Sequence, residues 1–151
     1  MANTQAMCTS FKSEILSGIH ALGTTVIRAG TGADTLKAAL YLASATVNAA
    51  TTAYSVTGEV SGTGYSAGGV TATNATAPTS SGTTAYWTPS ASFTYTTVTL
   101  TTSFDCVLVY NSTQSNKAIS VHTFGAQTIT AGTFSLSMPT NDSTNALIRI
   151  A

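Results

Sequence analysis

The sequence predicts a mainly β fold, a single β-sandwich or jelly-roll-like domain with one N-terminal helix. Runs of Thr, Val, Tyr and Phe recur from Thr51 onward, and β-branched and aromatic residues suit a pleated sheet. Turn residues separate these runs at regular intervals, as in sandwiches and small barrels. The length of 151 residues suits one domain with its own hydrophobic core.

A helix is predicted over about residues 10–22. Apolar residues recur there at spacings of four, four and three, which places on one helical face Phe11, Ile15, Ile19 and Leu22. Gly23 follows as a C-terminal stop. Gly18 within the helix lowers the helix propensity by about 1 kcal/mol relative to Ala, so packing must hold the helix. We expect the apolar face to be a packing or subunit interface.

The predicted β region covers about residues 36–151. Residues 36–43 fit either a helix, by the spacing of Leu36 and Leu40, or a strand, by the hydroxyl-rich segment that follows; we favour a strand. Further along, "CVLVY" is an apolar run typical of a strand buried on both faces, whereas "SASFTYTTVTL" and "AISVHTF" alternate.

The C-terminal third continues this pattern. The polar segment "NSTQSNK" predicts a hairpin loop of about seven residues. In "TFSLSM", Phe134, Leu136 and Met138 share one face, and "ALIRI" predicts a final apolar strand. The chain is therefore expected to form several short strands.

The stretch "SVTGEVSGTGYSAGGV", residues 55–70, contains five glycines and a single charge, Glu59. It lacks the spacing of a dinucleotide fingerprint and the lysine of a phosphate-binding loop. We interpret it as strand, tight turn and strand, with glycines at positive φ. A flexible loop at about 70–84 follows. Both segments are expected to be loosely held in the isolated protein and to order against neighbouring subunits. The candidate assembly residues are Gly62, Gly64, Tyr65, Gly68 and Gly69.

Low charge narrows the possible partners. Charged residues make up 7% of the chain, whereas an average soluble domain has roughly 25%. The formal net charge is zero. No basic patch favours nucleic acid, no apolar run has membrane-spanning length, and no signal peptide precedes the domain. We therefore expect a protein made in a cytoplasm, without nucleic-acid or membrane binding, whose surface favours self-association.

Residues with catalytic chemistry are few. His20 is expected at the border of the helical face, and His122 is expected to point outward from a strand. Cys8 and Cys106 are too few and too far apart for a zinc site or a disulfide framework. No nucleophile-elbow motif is present. We predict no enzyme and no catalytic, cofactor-binding or metal-binding residues.

The order of several segments resembles a family of small proteins encoded by tailed bacteriophages. The resemblance spans nearly the whole chain and is carried by "FKSEILSGIH", "TLKAALY", "NAATTAYSVTGEVSGTGYSAGG", "SGTTAYW", "LVYNSTQSNKAISVHTFG" and "LIRIA". This chain has extra residues, "GTTVIRAGTGA", after the first of these segments. The resemblance implies a virion structural component and supplies no catalytic residues.

Two structural functions follow as hypotheses, both with the virion as location. The first is a capsid cement or decoration protein that binds the major capsid protein, copies of itself, or both, in a symmetric assembly. The alternative is a tail, tail-tube, adaptor or fibre component. Under the fibre alternative, carbohydrate would stack on exposed aromatic rings, for which the candidates are Tyr54, Tyr65, Tyr86 and Trp87.

Overall fold

The computed structural model describes residues 3–16, 18–23 and 32–151. Most of the segment "GTTVIRAGTGA" lies outside these ranges. The described residues form one helix and eight strands: β1 (Ala6–Met7), α1 (Thr9–Leu16), β2 (Leu36–Leu42), β3 (Val70–Thr71), β4 (Thr79–Ser81), β5 (Thr84–Trp87), β6 (Phe93–Asn111), β7 (Lys117–Leu136) and β8 (Ile148–Ile150).

The strands form two antiparallel sheets, as expected for a β-sandwich-like domain. The larger sheet has the order β1-β7-β6-β2-β3, and the smaller has the order β4-β5-β8. Both sheets contribute to one hydrophobic core, in which Trp87 and Ile148 of the smaller sheet are buried together with Leu108 of the larger. The mainly β fold with one N-terminal helix is therefore confirmed.

Several local predictions for the larger sheet are also confirmed. Residues 36–42 form β2, which pairs antiparallel with β6. Residues 106–110 are all buried, as the run "CVLVY" indicated. The polar hairpin loop lies between the end of β6 at Asn111 and the start of β7 at Lys117.

The expectation of several short strands is wrong for the centre of the sheet. β6 has 19 residues and β7 has 20, and they pair from the hairpin to the opposite end. Register shifts interrupt the pairing, and Thr97 and Ala131 adopt positive φ. Bulges of this kind bend a strand without ending it. Segments that look separate in the sequence therefore belong to one long ribbon.

The helix is shorter than predicted, because it ends at Leu16 instead of residue 22. Gly18 has a φ of 66°, its N–H donates to the carbonyl of Ile15, and the N–H of Ile19 donates to the carbonyl of Glu14. These two bonds define a Schellman motif, in which a left-handed glycine terminates a helix. Gly18 is therefore the helix stop that the sequence reading assigned to Gly23.

The predicted flexible loop at 70–84 contains ordered structure. It includes β3, which pairs with β2, and β4, which forms a hairpin with β5 around Gly82. The prediction of a loop is thus wrong over these strands. None of the helices in the described part of the chain is long and apolar enough to span a membrane.

Candidate functional site

The β6–β7 hairpin contains the two longest strands of the fold, and its half that lies away from the loop carries no charged residue. We call residues 93–104 of β6 and 124–136 of β7 the neutral ribbon, because they contain no Asp, Glu, Lys or Arg. Side chains alternate between the two faces of a strand, so the ribbon has an inner and an outer face. Hydroxyl side chains are exposed along both strands of the ribbon, and we call this exposed hydroxyl surface its outer face: Thr94, Thr96, Thr97, Thr101, Thr102, Ser103, Thr128, Thr130, Thr133 and Ser135.

The inner face of the neutral ribbon packs on the core through aromatic rings. Phe134 lies with its ring centroid 5.1 Å from that of Phe104 and 5.2 Å from that of Phe124. Phe104 is fully buried, whereas Phe124 and Phe134 are half-buried. Edge-to-face and tilted pairs of this kind stabilise a packed face beyond their buried area. The ribbon is therefore anchored on one side and open on the other.

The outer edge of β7 is open over most of its length. β1 pairs with it at Ser120 and Val121. Beyond that point, the described residues form one further hydrogen bond between β7 and the N-terminal segment, a long one of 3.5 Å from the Thr123 hydroxyl to the Gln5 side-chain oxygen. From Phe124 to Leu136, no described residue pairs with this edge.

The glycine-rich stretch is held by a buried carboxylate. Glu59, 7% exposed, accepts hydrogen bonds of 2.7 Å from the hydroxyls of Tyr54 and Tyr65 and from the N–H of Gly68. The Tyr65 hydroxyl also accepts a bond from the N–H of Leu40 on β2. Burial, together with the bond to Glu59, raises the pKa of Tyr65 well above its ordinary value, so the phenol remains protonated. This network disagrees with the expectation of a loosely held segment.

The candidate assembly glycines serve close contacts within the domain. An added Cβ at Gly69 would lie 1.7 Å from the carbonyl oxygen of Ala38, and one at Gly62 would lie 2.0 Å from that of Thr99. Gly64, Gly68 and Gly69 have a positive φ, as expected, whereas Gly62 does not. The stretch does not form strand, turn and strand; it lies along the sheet and makes isolated bridges, including Glu59 to Tyr41.

The predicted helical face is divided between helix and loop. Phe11 is fully buried and Ile15 is half-buried on α1, whereas Ile19 and Leu22 follow the helix and are also half-buried. Phe11, Ile15 and Leu22 contact the hydrophobic core. Because these side chains pack within the domain, they leave little of the face for a neighbouring subunit.

His20 is not a boundary residue, since its side chain is fully buried. Its Nε2 lies 2.8 Å from Glu14, and its Nδ1 lies 3.0 Å from the amide nitrogen of Asn111. The amide oxygen of Asn111 accepts backbone bonds in the hairpin loop, so its nitrogen is the donor toward His20. Nδ1 of His20 therefore accepts, and Nε2 donates to Glu14.

Glu14 and Asp34 complete this cluster beneath the hairpin loop. Lys117 donates to Glu14 at 2.5 Å, and Asn111 donates to Asp34 at 2.8 Å. Burial opposes ionisation of Glu14, but the bonds from Lys117 and His20 outweigh it and hold its pKa below the ordinary value. Each polar group has a partner from another part of the chain, so the cluster fastens α1 to the hairpin.

His122 also differs from its prediction, because it does not point freely into solvent. It borders a cleft of about 870 Å³ between the larger sheet and the C-terminal segment, and its Nε2 lies 2.9 Å from the Ser120 hydroxyl. Burial lowers the pKa of His122 to about 4. The imidazole is thus neutral at pH 7, and no acidic residue lines the cleft in the described part of the chain.

The two cysteines are buried thiols, as the sequence predicted for Cys106. Burial, aided by the charge of Glu14, raises the pKa of Cys8 to about 11. Burial, aided by Asp105, raises that of Cys106 to about 12. Both side chains are therefore protonated and inaccessible near neutral pH.

The four aromatic residues considered for carbohydrate do not form an exposed platform. Trp87 is 1% exposed and donates to the carbonyl of Thr76. Tyr54 stacks on Tyr110 with centroids 4.7 Å apart, and its hydroxyl binds Glu59. The condition of exposure is therefore not met for Trp87, and Tyr54 is already stacked within the domain.

Among residues 3–16, 18–23 and 32–151, no three His, Cys, Asp or Glu side chains are grouped so that they could hold a metal ion. Comparison of the chain with protein-family models, curated proteins and solved structures gives no match.

Proposed function

We propose that the protein is a non-enzymatic structural component of a tailed-bacteriophage virion, a capsid cement or decoration protein that binds the major capsid protein. The observation that carries this proposal is the outer face of the neutral ribbon, which presents hydroxyl groups and no charge along residues 93–104 of β6 and 124–136 of β7. The resemblance to small phage proteins supports the virion as its location.

An uncharged hydroxyl surface suits a permanent contact. Burying it removes no charge from water, so the large desolvation penalty of buried ions is avoided. Threonine loses little side-chain freedom on binding, because its β-branched side chain is already restricted in χ1. Contacts of this kind also depend little on salt, unlike those of a protein steered to its partner by charge.

The packing behind this surface supports the same proposal. The inner face is fixed by Phe104 and Phe134, and the neighbouring glycine-rich stretch is fixed by Glu59. A surface that is ordered before binding loses little conformational entropy when it docks. Repetition of a modest contact around a symmetric shell then multiplies its effect through avidity.

The direct test is the copy number of the protein in purified virions, measured by quantitative gel electrophoresis or mass spectrometry. A cement protein should be present on the order of hundreds of copies, because each contact repeats over the shell. A count of about six or twelve, as expected from tail symmetry, would favour the tail alternative. Absence from the particle would overturn the proposal.

A rebinding assay tests the surface itself. Particles that lack the protein are mixed with purified wild-type chain, with Thr101→Glu on the outer face of β6, or with Thr57→Glu on an exposed loop. The Thr101 variant should bind at least about tenfold more weakly, because it would bury an unpaired charge. The Thr57 variant is the control and should bind as wild type does. Equal binding of all three proteins would contradict the role of the ribbon.

A further inference from the structure

The side chain of His20 connects the segment after α1 to the hairpin loop. The imidazole is fully buried, and both of its nitrogens are engaged. Nε2 donates to Glu14 at 2.8 Å, and Nδ1 accepts from the amide nitrogen of Asn111 at 3.0 Å. Only the neutral ring, with its proton on Nε2 and none on Nδ1, satisfies both partners.

Asn111 in turn holds the hairpin loop. This residue is fully buried, and its amide oxygen accepts from the N–H groups of Thr113 at 3.1 Å and Gln114 at 3.2 Å. Its amide nitrogen also donates to Asp34 at 2.8 Å. The amide cannot be turned around, because its nitrogen would then face two N–H donors and its oxygen would face a carboxylate. Three neighbours other than His20 therefore fix its orientation.

A proton on Nδ1 of His20 is incompatible with this arrangement. The ring N–H and the NH₂ group of Asn111 would both be donors, and two donors cannot share a hydrogen bond. Because the site is buried, water does not relieve the conflict, and an unsatisfied donor there costs free energy. If the Asn111 side chain withdraws, the N–H groups of Thr113 and Gln114 lose their acceptor.

The charged groups around His20 favour withdrawal of Asn111 over movement of the ring. Glu14 on α1 accepts from Nε2 and is itself bound by Lys117 at the start of β7. Asp34, which precedes β2, lies 2.8 Å from the Asn111 nitrogen and can accept from Nδ1–H once the amide has left. In the described part of the chain, these three are the charged residues bound to His20 or to its direct partners. Two carboxylates stabilise an imidazolium between them, so the protonated ring stays in place.

We infer that His20 is a pH-sensitive latch for the hairpin loop. At neutral pH the ring binds Asn111, and Asn111 binds the loop; in acidic solution Nδ1 takes up a proton from water, Asn111 withdraws and the loop is released. Histidine is the side chain that ordinarily changes charge in mildly acidic solution. The latch lies at the loop end of the β6–β7 hairpin, whereas the neutral ribbon lies at the opposite end. The inference therefore does not depend on the virion assignment.

NMR titration of the full chain tests the latch. At neutral pH, the ring nitrogen shifts of His20 should show the proton on Nε2. As the ring takes up its second proton, the backbone N–H signals of Thr113 and Gln114 should shift with the same midpoint. Their hydrogen exchange, corrected for the direct effect of pH, should become at least about threefold faster, because each N–H loses a hydrogen bond. Exchange is measured as well as shift, because a nearby charge moves signals without removing a bond.

His20→Gln is the informative variant, since a neutral amide can donate to Glu14 and accept from Asn111 without titrating. In this variant the loop signals should no longer follow the pH at which His20 titrates in wild type. His122→Gln replaces the only other histidine in the sequence and is the matched control. It should leave the titration of the loop unchanged.

Should His20→Gln fail to fold, the wild-type titration decides, because it compares the ring and the loop within one protein. A proton on Nδ1 at neutral pH, or a ring that stays neutral until the domain unfolds, would overturn the latch. So would loop amides whose signals or exchange do not change with the ring, or a loop titration that persists in folded His20→Gln. None of these results would affect the copy number expected in virions, so the two proposals fail separately.

Discussion

Removal of the Glu59 carboxylate is expected to destabilise the isolated domain strongly. In Glu59→Ala, the N–H of Gly68 and the enclosed hydroxyl of Tyr65, which Leu40 also binds, lose their acceptor, whereas the less enclosed hydroxyl of Tyr54 can bind water. An unsatisfied buried donor costs about 1–3 kcal/mol, so two of them should lower the free energy of unfolding by about 3 kcal/mol. For a chain of this length, that corresponds to a fall in Tm of about 6–12 °C.

Glu59→Gln removes the charge of this side chain but keeps an oxygen that can accept hydrogen bonds. The amide oxygen can still accept from Tyr65 and Gly68, and the Tyr54 hydroxyl can rotate to accept from the amide nitrogen. The expected loss is therefore about 1 kcal/mol. Urea unfolding of both variants, analysed with equal m-values, measures the difference. A free energy of unfolding for Glu59→Ala within about 1 kcal/mol of wild type would refute the reasoning, because the donors would then have other partners.

Two further changes, Gly69→Ala with Gly125→Ala as its control and His122→Gln, test the packing of the glycine-rich stretch and of the cleft. Gly69→Ala should prevent folding or reduce stability by more than about 3 kcal/mol, since residue 69 has a positive φ and its new Cβ would overlap a backbone oxygen. Gly125→Ala is the control, because open space surrounds Gly125, and it should stay within about 0.5 kcal/mol of wild type. Thermal unfolding compares the two variants. For His122, the folded pKa of about 4 lies below the unfolded value, so the free energy of unfolding is greatest above about pH 6.5 and falls as the pH drops toward 4. His122→Gln should remove about 2 kcal/mol of this acid sensitivity. Urea unfolding of wild type and His122→Gln between about pH 6.5 and 5 isolates the effect, because the two proteins share every other titrating group and the lowered pKa of Glu14 confines the loss of its stabilisation to more acidic solution. A pH profile unchanged by His122→Gln would show that the imidazole is solvated.

Local patterns in the sequence were sufficient where burial alone decides structure. The run at 106–110 and the polar segment after it define a buried strand and its hairpin loop, because apolar and polar side chains separate sharply there. The two long strands could not be predicted in the same way. Their bulges place Thr97 and Ala131 at positive φ, and neither residue type signals that conformation.

The helix illustrates a different limit. The spacing of Ile15 and Ile19 is helical, yet a Schellman motif at Gly18 ends α1 first. The prediction placed Gly18 within the helix and Gly23 at its end, whereas the left-handed conformation of Gly18 stops the helix one turn earlier. The sequence also shows that Glu59 is the single charged residue of its stretch and that Tyr54 and Tyr65 lie near it in the chain. Only the fold shows that the hydroxyls of both tyrosines donate to its carboxylate.

The candidate surface was partly visible in the sequence. The low charge of the whole chain indicated self-association, and the absence of charge over residues 118–136 can be read directly from the sequence. That these residues lie on a strand at a sheet edge depends on strand order, which local sequence does not determine.

We propose that the neutral ribbon, and not the glycine-rich stretch, is the surface through which the protein assembles. Hydrogen exchange of the free protein and of the protein in purified virions tests this most directly. We predict that residues 59–69 are protected in both states, because the Glu59 network is internal to the domain. Protection over residues 93–104 and 124–136 should increase in the particle. An increase confined to residues 58–69, with the ribbon unchanged, would contradict the account.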